Sequence, residues 1–101
     1  MHINGNDIRT VIVACDAGMG SSVMLASQLR KQLSKHNVTV EHTPVNSIPE
    51  EADVIVCHES LADRARASVG DTPIIAVQVF IGDPAIKALV TAVSKGEVLN
   101  V

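Results

Sequence analysis

Short apolar strand patterns alternate with helical patterns along this chain, and that alternation constrains the fold more than any other feature. Three near-continuous aliphatic runs have the pattern of strands covered on both faces, and they span residues 8–15, 53–57 and 73–79. A fourth run, residues 38–45, mixes apolar with polar residues and contains a proline, which is typical of an edge strand. The pattern predicts a doubly wound α/β fold with a four-stranded, mainly parallel sheet in the strand order 2-1-3-4.

Three helical patterns accompany these strands. The first begins around residues 20–22 and runs to about Lys35, and the second covers residues 60–68. The third has the clearest limits, because Asp83 stands in the N-cap position before a proline and Gly96 stands where the apolar periodicity ends. We expect these three helices to cover both faces of the sheet.

The length of the chain, 101 residues, fits one compact domain over residues 1–101. Residues 1–7 and 97–101 have the composition of a linker or a tail. Two cysteines are too few for a disulfide framework, and the chain opens without the pattern of a signal peptide. The longest uninterrupted apolar run, residues 11–15, is far shorter than the roughly 20 residues of a membrane-spanning helix. We therefore expect a cytoplasmic domain that does not insert into a membrane.

Composition also narrows the class of partner. Hydrophobic residues make up 47% of the chain, but they include one Phe and neither Trp nor Tyr, so binding by stacking on aromatic rings is disfavoured. The formal net charge is -3, and a chain with this charge has no basic field to neutralise a phosphodiester backbone. We expect no nucleic-acid partner.

The segment that follows the first predicted strand carries the clearest chemical signal. Ligands bind at the carboxyl ends of parallel strands, and here that end holds a thiol, two glycines and two hydroxyls. Backbone N–H groups of such a loop and of the following helix converge on an anion, and the same field favours a nucleophilic thiolate. The predicted phosphate-binding loop comprises Cys15, Asp16, Ala17, Gly18, Met19, Gly20, Ser21 and Ser22.

Several interpretations of this loop remain open. A phosphatase of the tyrosine-phosphatase type needs an arginine six residues after the cysteine, and the residue there is Ser21. A loop of neutral donors can form a phosphocysteine yet hydrolyse it poorly, which favours a phosphoryl carrier over a low-molecular-weight phosphatase-like hydrolase. A non-catalytic anion-binding module is the third interpretation, and a packing turn with Cys15 as a small core residue is the simplest alternative. Asp83 and Pro84 resemble the general-acid loop of such phosphatases, although this pair is more often an N-cap and a first helical turn.

Other reactive residue types lie outside this loop. His58 follows the third predicted strand, beside the first in the expected order, and two roles are open for it: contact with the phosphate, or capping of the connection to Glu59 and Ser60. Cys57 is interpreted as a small core residue, with a redox pair with Cys15 as the alternative. The remaining histidines lack ligand spacing, so we expect no metal site and no cofactor.

Three segments of the chain resemble the cytoplasmic IIB domain of the bacterial phosphoenolpyruvate-dependent sugar phosphotransferase system (PTS), most closely the mannitol type. The first is IVACDAGMGSS at residues 12–22, which resembles the family's phosphorylation loop and is highly specific. The second and third are ADVIVCHESLADRA at residues 52–65 and FIGDPAIKALV at residues 80–90. Together they extend over most of the chain, from about Ile8 to Val93.

The resemblance implies a function for the loop. Cys15 matches the cysteine that accepts a phosphoryl group from a phosphohistidine on a IIA partner and passes it to a sugar or sugar alcohol, such as mannitol, bound in a membrane IIC partner. Residues 16–22 match the segment that cradles the phosphate. We hypothesise that Asp16 hydrogen-bonds loop N–H groups and limits how strongly the phosphoryl group is held.

A carrier of this kind must dock on two proteins in turn. Met19, Val23 and Met24 lie in or beside the loop and offer an adaptable apolar surface for that purpose. Packing of the first helix is the alternative role for Val23 and Met24.

Overall fold

The computed structural model of the chain describes residues 2–15, 20–79 and 83–100. Its helices are α1 (Gly20–Leu33), α2 (Ala62–Val69) and α3 (Pro84–Lys95). Its strands are β1 (His2–Asn4), β2 (Thr10–Cys15), β3 (Thr39–Pro44), β4 (Val54–His58), β5 (Ile74–Val77) and β6 (Val98–Asn100). Four of the strands build the main sheet, and the two short strands at the ends pair with each other.

The main sheet is parallel and has the order β3-β2-β4-β5, which confirms the α/β prediction and its strand order. The register of β2 runs from Thr10 opposite Thr39 to Cys15 opposite Pro44 on β3. As predicted, β3 with its proline is an edge strand. The last aliphatic run gives the other edge strand, β5, in which Ala76 is exposed.

Each face of the main sheet has its own hydrophobic core, because side chains of the central strands alternate between the faces. Val11 and Val13 of β2 pack with α1 and α3, whereas Ile12 and Ala14 pack in the cluster that α2 covers. The residues that α1 and α3 bury in the first core are Leu25, Ala26, Leu29, Leu33, Ile86, Leu89, Ala92 and Val93. The aliphatic composition therefore follows from a sheet that is covered on both faces.

The helices begin and end close to the predicted residues. A 3-10 turn follows α1, and another, Glu59–Leu61, precedes α2. At α3 the Asp83 carboxylate accepts a hydrogen bond from the backbone N–H of Ala85, and Gly96 ends the helix with a φ of 68°. Both caps match the sequence prediction, because an aspartate can bond the free N–H groups of a first turn and glycine adopts a left-handed conformation without strain.

The two ends of the chain carry more structure than their composition indicated. Residues expected to be a linker or a tail form β1 and β6, which pair antiparallel with His2 opposite Asn100. The N-terminal segment is also fastened to the turn after α3, since the backbone N–H of Gly5 donates to the Glu97 carbonyl. A side chain at position 5 would place its Cβ 1.8 Å from the Ala92 carbonyl oxygen, so this approach requires glycine. Sequence patterns did not reveal these strands because each has only three residues.

Among the helices in the described part of the chain, none is both long and apolar enough to cross a bilayer.

Candidate functional site

The carboxyl edge of the main sheet is where the predicted site lies. β2 ends at Cys15 and β4 ends at His58. Val13 of β2 lies opposite Val56 of β4, and continuing this register by two residues places Cys15 opposite His58. From this edge the chain leaves β2 toward α1 on one face and leaves β4 toward α2 on the other face. The edge between β2 and β4 is therefore the switch point of the sheet, where doubly wound folds bind their ligands.

Cys15 lies at this switch point as a free thiol that is 4% exposed. Because side chains alternate along β2, Cys15 points to the same face as Val11 and Val13, the face that α1 covers. α1 then begins at Gly20, five residues after the cysteine, and its first turn presents free backbone N–H groups. A free thiol and a helix N-terminus thus follow each other in the order that anion-binding loops require.

The middle of the predicted loop, namely Asp16, Ala17, Gly18 and Met19, lies outside the described residues. For Gly20, Ser21 and Ser22 the structure gives the helical backbone of the first turn of α1. The roles that the sequence gives to these seven residues stay predictions.

Cys57 is one residue from the same edge, but it belongs to the opposite face. It packs with Ile12 and Ile55 in the core under α2, and burial raises the pKa of its thiol to about 11. A thiol with this pKa is protonated at neutral pH and is a poor nucleophile. Both cysteines are free, and they point to opposite faces of the sheet, so the structure supports the core role of Cys57 and gives no support to a redox pair with Cys15.

His58 has partners on both ring nitrogens. Its Nδ1 accepts a hydrogen bond from the backbone N–H of Ser60 at 3.1 Å and lies 2.8 Å from the Ser60 hydroxyl. Its Nε2 lies 3.2 Å from the carbonyl oxygen of Gln78, which only accepts. A ring that accepts at Nδ1 and donates from Nε2 is the neutral Nε2–H tautomer. Of the two roles left open by the sequence, the structure shows the capping one.

Asp83 also lies at this edge, and it is 8% exposed. Its carboxylate accepts hydrogen bonds from the backbone N–H groups of Ala85, Gln78 and Val79 at 2.9, 2.9 and 3.3 Å. These N–H groups, that of Ala85 foremost and then that of Gln78, hold the pKa of the carboxyl below its usual value. A general acid must be protonated when it acts, so the structure favours the N-cap role over the phosphatase-like role.

Three exposed aliphatic side chains lie at the same end of the molecule. Val23 and Met24, in the first turns of α1, are 49% and 59% exposed, and Val79, just beyond β5, is 53% exposed. The inward face of α1 is formed by other residues, beginning with Leu25, so packing of the helix does not account for Val23 and Met24. We call Val23, Met24 and Val79 the apolar rim of the site.

A comparison with protein families shows which family this chain belongs to. The family described as "PTS system, Lactose/Cellobiose specific IIB subunit" matches residues 10–92, which include all four strands of the main sheet and almost all of α3. The chain belongs to the PTS IIB family.

Relatives of this IIB chain occur within larger proteins. The "PTS system mannitol-specific EIICB component" of Geobacillus stearothermophilus is 38% identical over 90 residues, which cover 87% of this chain and 19% of that protein. The "PTS system mannitol-specific EIICBA component" of Vibrio cholerae serotype O1 is 40% identical over 87 residues, covering 84% of this chain and 13% of that protein. This chain therefore spans about a fifth or less of the length of these relatives.

Two groups at the edge of this IIB domain were not predicted from the sequence. Gln78 takes part through its backbone, because its carbonyl faces His58 and its N–H donates to Asp83. These backbone groups do not depend on the side chain, so the identity of the residue does not reveal them. Val79 was predicted only as strand residue, and its exposure follows from β5 ending at Val77. The described residues hold no group of three or more His, Cys, Asp or Glu side chains that is placed to bind a metal ion.

Proposed function

We propose that this chain is the phosphoryl-carrying part of a sugar phosphotransferase. Cys15 accepts a phosphoryl group from a phosphohistidine on a IIA partner and transfers it to a sugar or sugar alcohol, mannitol-like in class, that is bound by a membrane IIC partner. The domain acts on the cytoplasmic side. The observation that carries this proposal is the position of Cys15, a free thiol on the last residue of a central strand at the switch point, followed by the N-terminus of α1.

Two transfers of one phosphoryl group make up the reaction. In the first, the Cys15 thiolate attacks phosphorus, the N–P bond of the phosphohistidine breaks, and the imidazole of the donor keeps the electron pair. In the second, a hydroxyl oxygen of the sugar attacks phosphorus, the S–P bond breaks, and the thiolate is restored while the hydroxyl proton passes to solvent or to a base of the sugar-binding partner. Covalent catalysis of this kind divides one difficult transfer into two easier ones.

The loop around the phosphate binds through neutral donors. We propose that backbone N–H groups of residues 16–22 and the hydroxyls of Ser21 and Ser22 bind the phosphoryl oxygens, and that the dipole of α1 adds a positive potential. No arginine stands between Cys15 and Ser22 in the sequence, so nothing in the loop clamps the equatorial oxygens for attack by water. Asp16 weakens the hold on the dianion. These properties suit a carrier, which must release the group to the next acceptor.

Partners of two kinds are indicated by the names of the relatives. EIICB and EIICBA components combine the B part with a C part, or with C and A parts, in one protein. The apolar rim gives the carrier a surface that both partners can contact in turn, since methionine and valine pack against differently shaped surfaces without demanding a charge partner. The matched family is described for lactose and cellobiose, whereas the relatives at 38% and 40% identity are described for mannitol, and this identity supports a mannitol-like acceptor.

The direct test is the mass of the protein after exposure to a phosphoryl donor. The chain is incubated with phosphoenolpyruvate and the upstream phosphotransferase proteins, including a IIA domain, and the mass is measured before and after. We expect a gain of one phosphoryl group that is lost in Cys15→Ser and kept in Cys57→Ser, the matched control at the other cysteine.

Two results would contradict the proposal. One is the absence of any mass gain with a donor that phosphorylates another IIB domain in the same assay. The other is rapid hydrolysis of an aryl phosphate that depends on Cys15, because it would make the domain a phosphatase-like hydrolase.

A further inference from the structure

Gln78 and Val79, just after β5, are held in place by the side chains of Asp83 and His58. Gln78 and Val79 follow the last residue of β5 and have no strand partners. Their backbone N–H groups donate to the Asp83 carboxylate at the start of α3, and the Gln78 carbonyl lies 3.2 Å from Nε2 of His58 on β4. The position of this segment is therefore set from both sides, by α3 and by the end of β4.

Two contacts of His58 with described residues are separable. Through Nδ1 it caps the 3-10 turn that follows β4, which is a local contact two residues along the chain. Through Nε2–H it reaches the Gln78 carbonyl, twenty residues away in sequence, and joins the end of β4 to the segment after β5. Of these two contacts, the second reaches the residue next to Val79.

Val79 is part of the apolar rim, 53% exposed, at the end of the strand next to β4. β5 lies two strands from β2, which is roughly 10 Å across the sheet. A partner that brings a phosphohistidine to Cys15 covers a surface wider than this distance, so it also covers Val79.

We propose that His58 is a positioning residue for the phosphoryl transfer. By donating to the Gln78 carbonyl it fixes Gln78 and Val79 at the carboxyl edge, two strands from the strand that ends at Cys15, so that the donor domain meets a preformed surface. This inference rests on the proposed phosphoryl-carrier function. It assigns His58 an effect on the binding of the donor, through Val79, and not on the step in which phosphorus moves.

Two substitutions separate the two contacts of His58. In His58→Asn, Oδ1 takes the place of Nδ1 and still caps the Ser60 N–H, but the side chain is too short to reach Gln78. In His58→Gln, Nε2 takes the place of the ring Nε2 and still donates to the Gln78 carbonyl, while the cap is lost. His36→Gln is the matched control, because His36 lies beside Gly5 and Arg9 at the opposite end of the sheet.

Single-turnover transfer from a phosphorylated IIA domain measures the effect, with the donor concentration varied to saturation. We expect His58→Asn to raise the half-saturating donor concentration about fivefold with an unchanged maximal rate, the size expected for one lost hydrogen bond. His58→Gln and His36→Gln are expected to stay within about twofold of the wild type. Equal losses in His58→Asn and His58→Gln, no loss in His58→Asn, or a fall in the maximal rate alone would overturn the proposal.

Amide hydrogen exchange gives a second measurement that does not depend on transfer. The N–H groups of Gln78 and Val79 should exchange at least about fivefold faster in His58→Asn and at the wild-type rate in His58→Gln. Unchanged exchange in His58→Asn means that His58 does not position this segment, whatever the transfer rates. If instead the wild type accepts no phosphoryl group while the exchange changes as expected, the carrier function fails and the structural role of His58 stands.

Discussion

The two ends of the main sheet use their polar groups in different ways. At the amino end, the Asp53 carboxylate accepts from the backbone N–H groups of Arg9 and Thr10, and the Arg9 guanidinium donates to the Asn6 carbonyl. Charged side chains there join chain segments together, and the backbone at Gly5 packs directly on α3. At the carboxyl end, a thiol ends the central strand and the apolar rim faces solvent. Asp83 and His58 join chain segments at the carboxyl end too, but only that end carries the apolar rim for which we propose contact with other molecules.

The largest effect expected from testing this comparison is at the amino end. Gly5→Ala places a Cβ 1.8 Å from the Ala92 carbonyl oxygen, a distance that the backbone can relieve only by moving the N-terminal segment off α3. We expect a loss of about 3 kcal/mol in the free energy of unfolding, measured by urea denaturation. Phosphoryl acceptance per folded molecule should stay unchanged, because Cys15 is at the other end.

Gly70→Ala is the matched control for that substitution. Gly70, unlike Gly5, has a positive φ, 64°, and a Cβ there meets nothing within 4 Å. The cost should be about 1 kcal/mol, from backbone strain alone. Equal losses at positions 5 and 70 would show that close packing on α3 is not what holds the N-terminal segment.

The second prediction contrasts the two cysteines near the carboxyl edge. Because burial raises the pKa of Cys57 from 9.0 to about 11, its thiolate fraction at pH 8 is about a hundredfold lower than that of an ordinary cysteine. Iodoacetamide should therefore label Cys15 much faster than Cys57, as followed by mass spectrometry of the labelled peptides. Similar labelling rates at the two positions would refute the contrast. In urea both thiols should react alike.

The third prediction concerns the apolar rim and has a smaller effect. Met24→Ala removes the most exposed side chain of the rim and should raise the half-saturating concentration of the phosphorylated IIA donor about threefold. Val98→Ala removes a side chain of equal exposure, 59%, on β6, where no partner is proposed, and should leave that concentration unchanged. A shift of the same size in both variants would remove the distinction between rim and ordinary surface.

The smallest effect expected is a dependence of stability on pH through Asp83. Its pKa is lowered in the folded state by backbone N–H groups, so its contribution is present above about pH 4, the range in which aspartate ionises in unfolded chains. The contribution is lost as the pH falls through the lower folded-state pKa, because the carboxylate must then be protonated. Asp83→Asn should reduce the urea midpoint at pH 7 and make it vary less between pH 5 and pH 3. A variant with the same pH dependence as the wild type would show that Asp83 does not contribute in this way.

Features that depend on side-chain identity were predictable from the sequence, whereas contacts made by backbone groups were not. The strand order, the edge position of the strand with Pro44 and the caps of α3 follow from residue identity, and the structure confirms them. The pairing of β1 with β6 was missed, because three-residue strands leave too short a pattern. The contact of His58 with the Gln78 carbonyl was also missed, since any residue at position 78 supplies the same carbonyl.

The alternation of side chains along β2 links the chemistry to folding. An insertion or deletion of one residue between Thr10 and Cys15 would turn the thiol to the other face, and it would also exchange Val11 and Val13 with Ile12 and Ala14 in the two cores. A chain with such an error would lose its packing before it could present a misplaced nucleophile. Errors of this kind would then be removed as unfolded protein, and few would persist as a folded domain that binds the proposed partners without the proposed phosphoryl transfer.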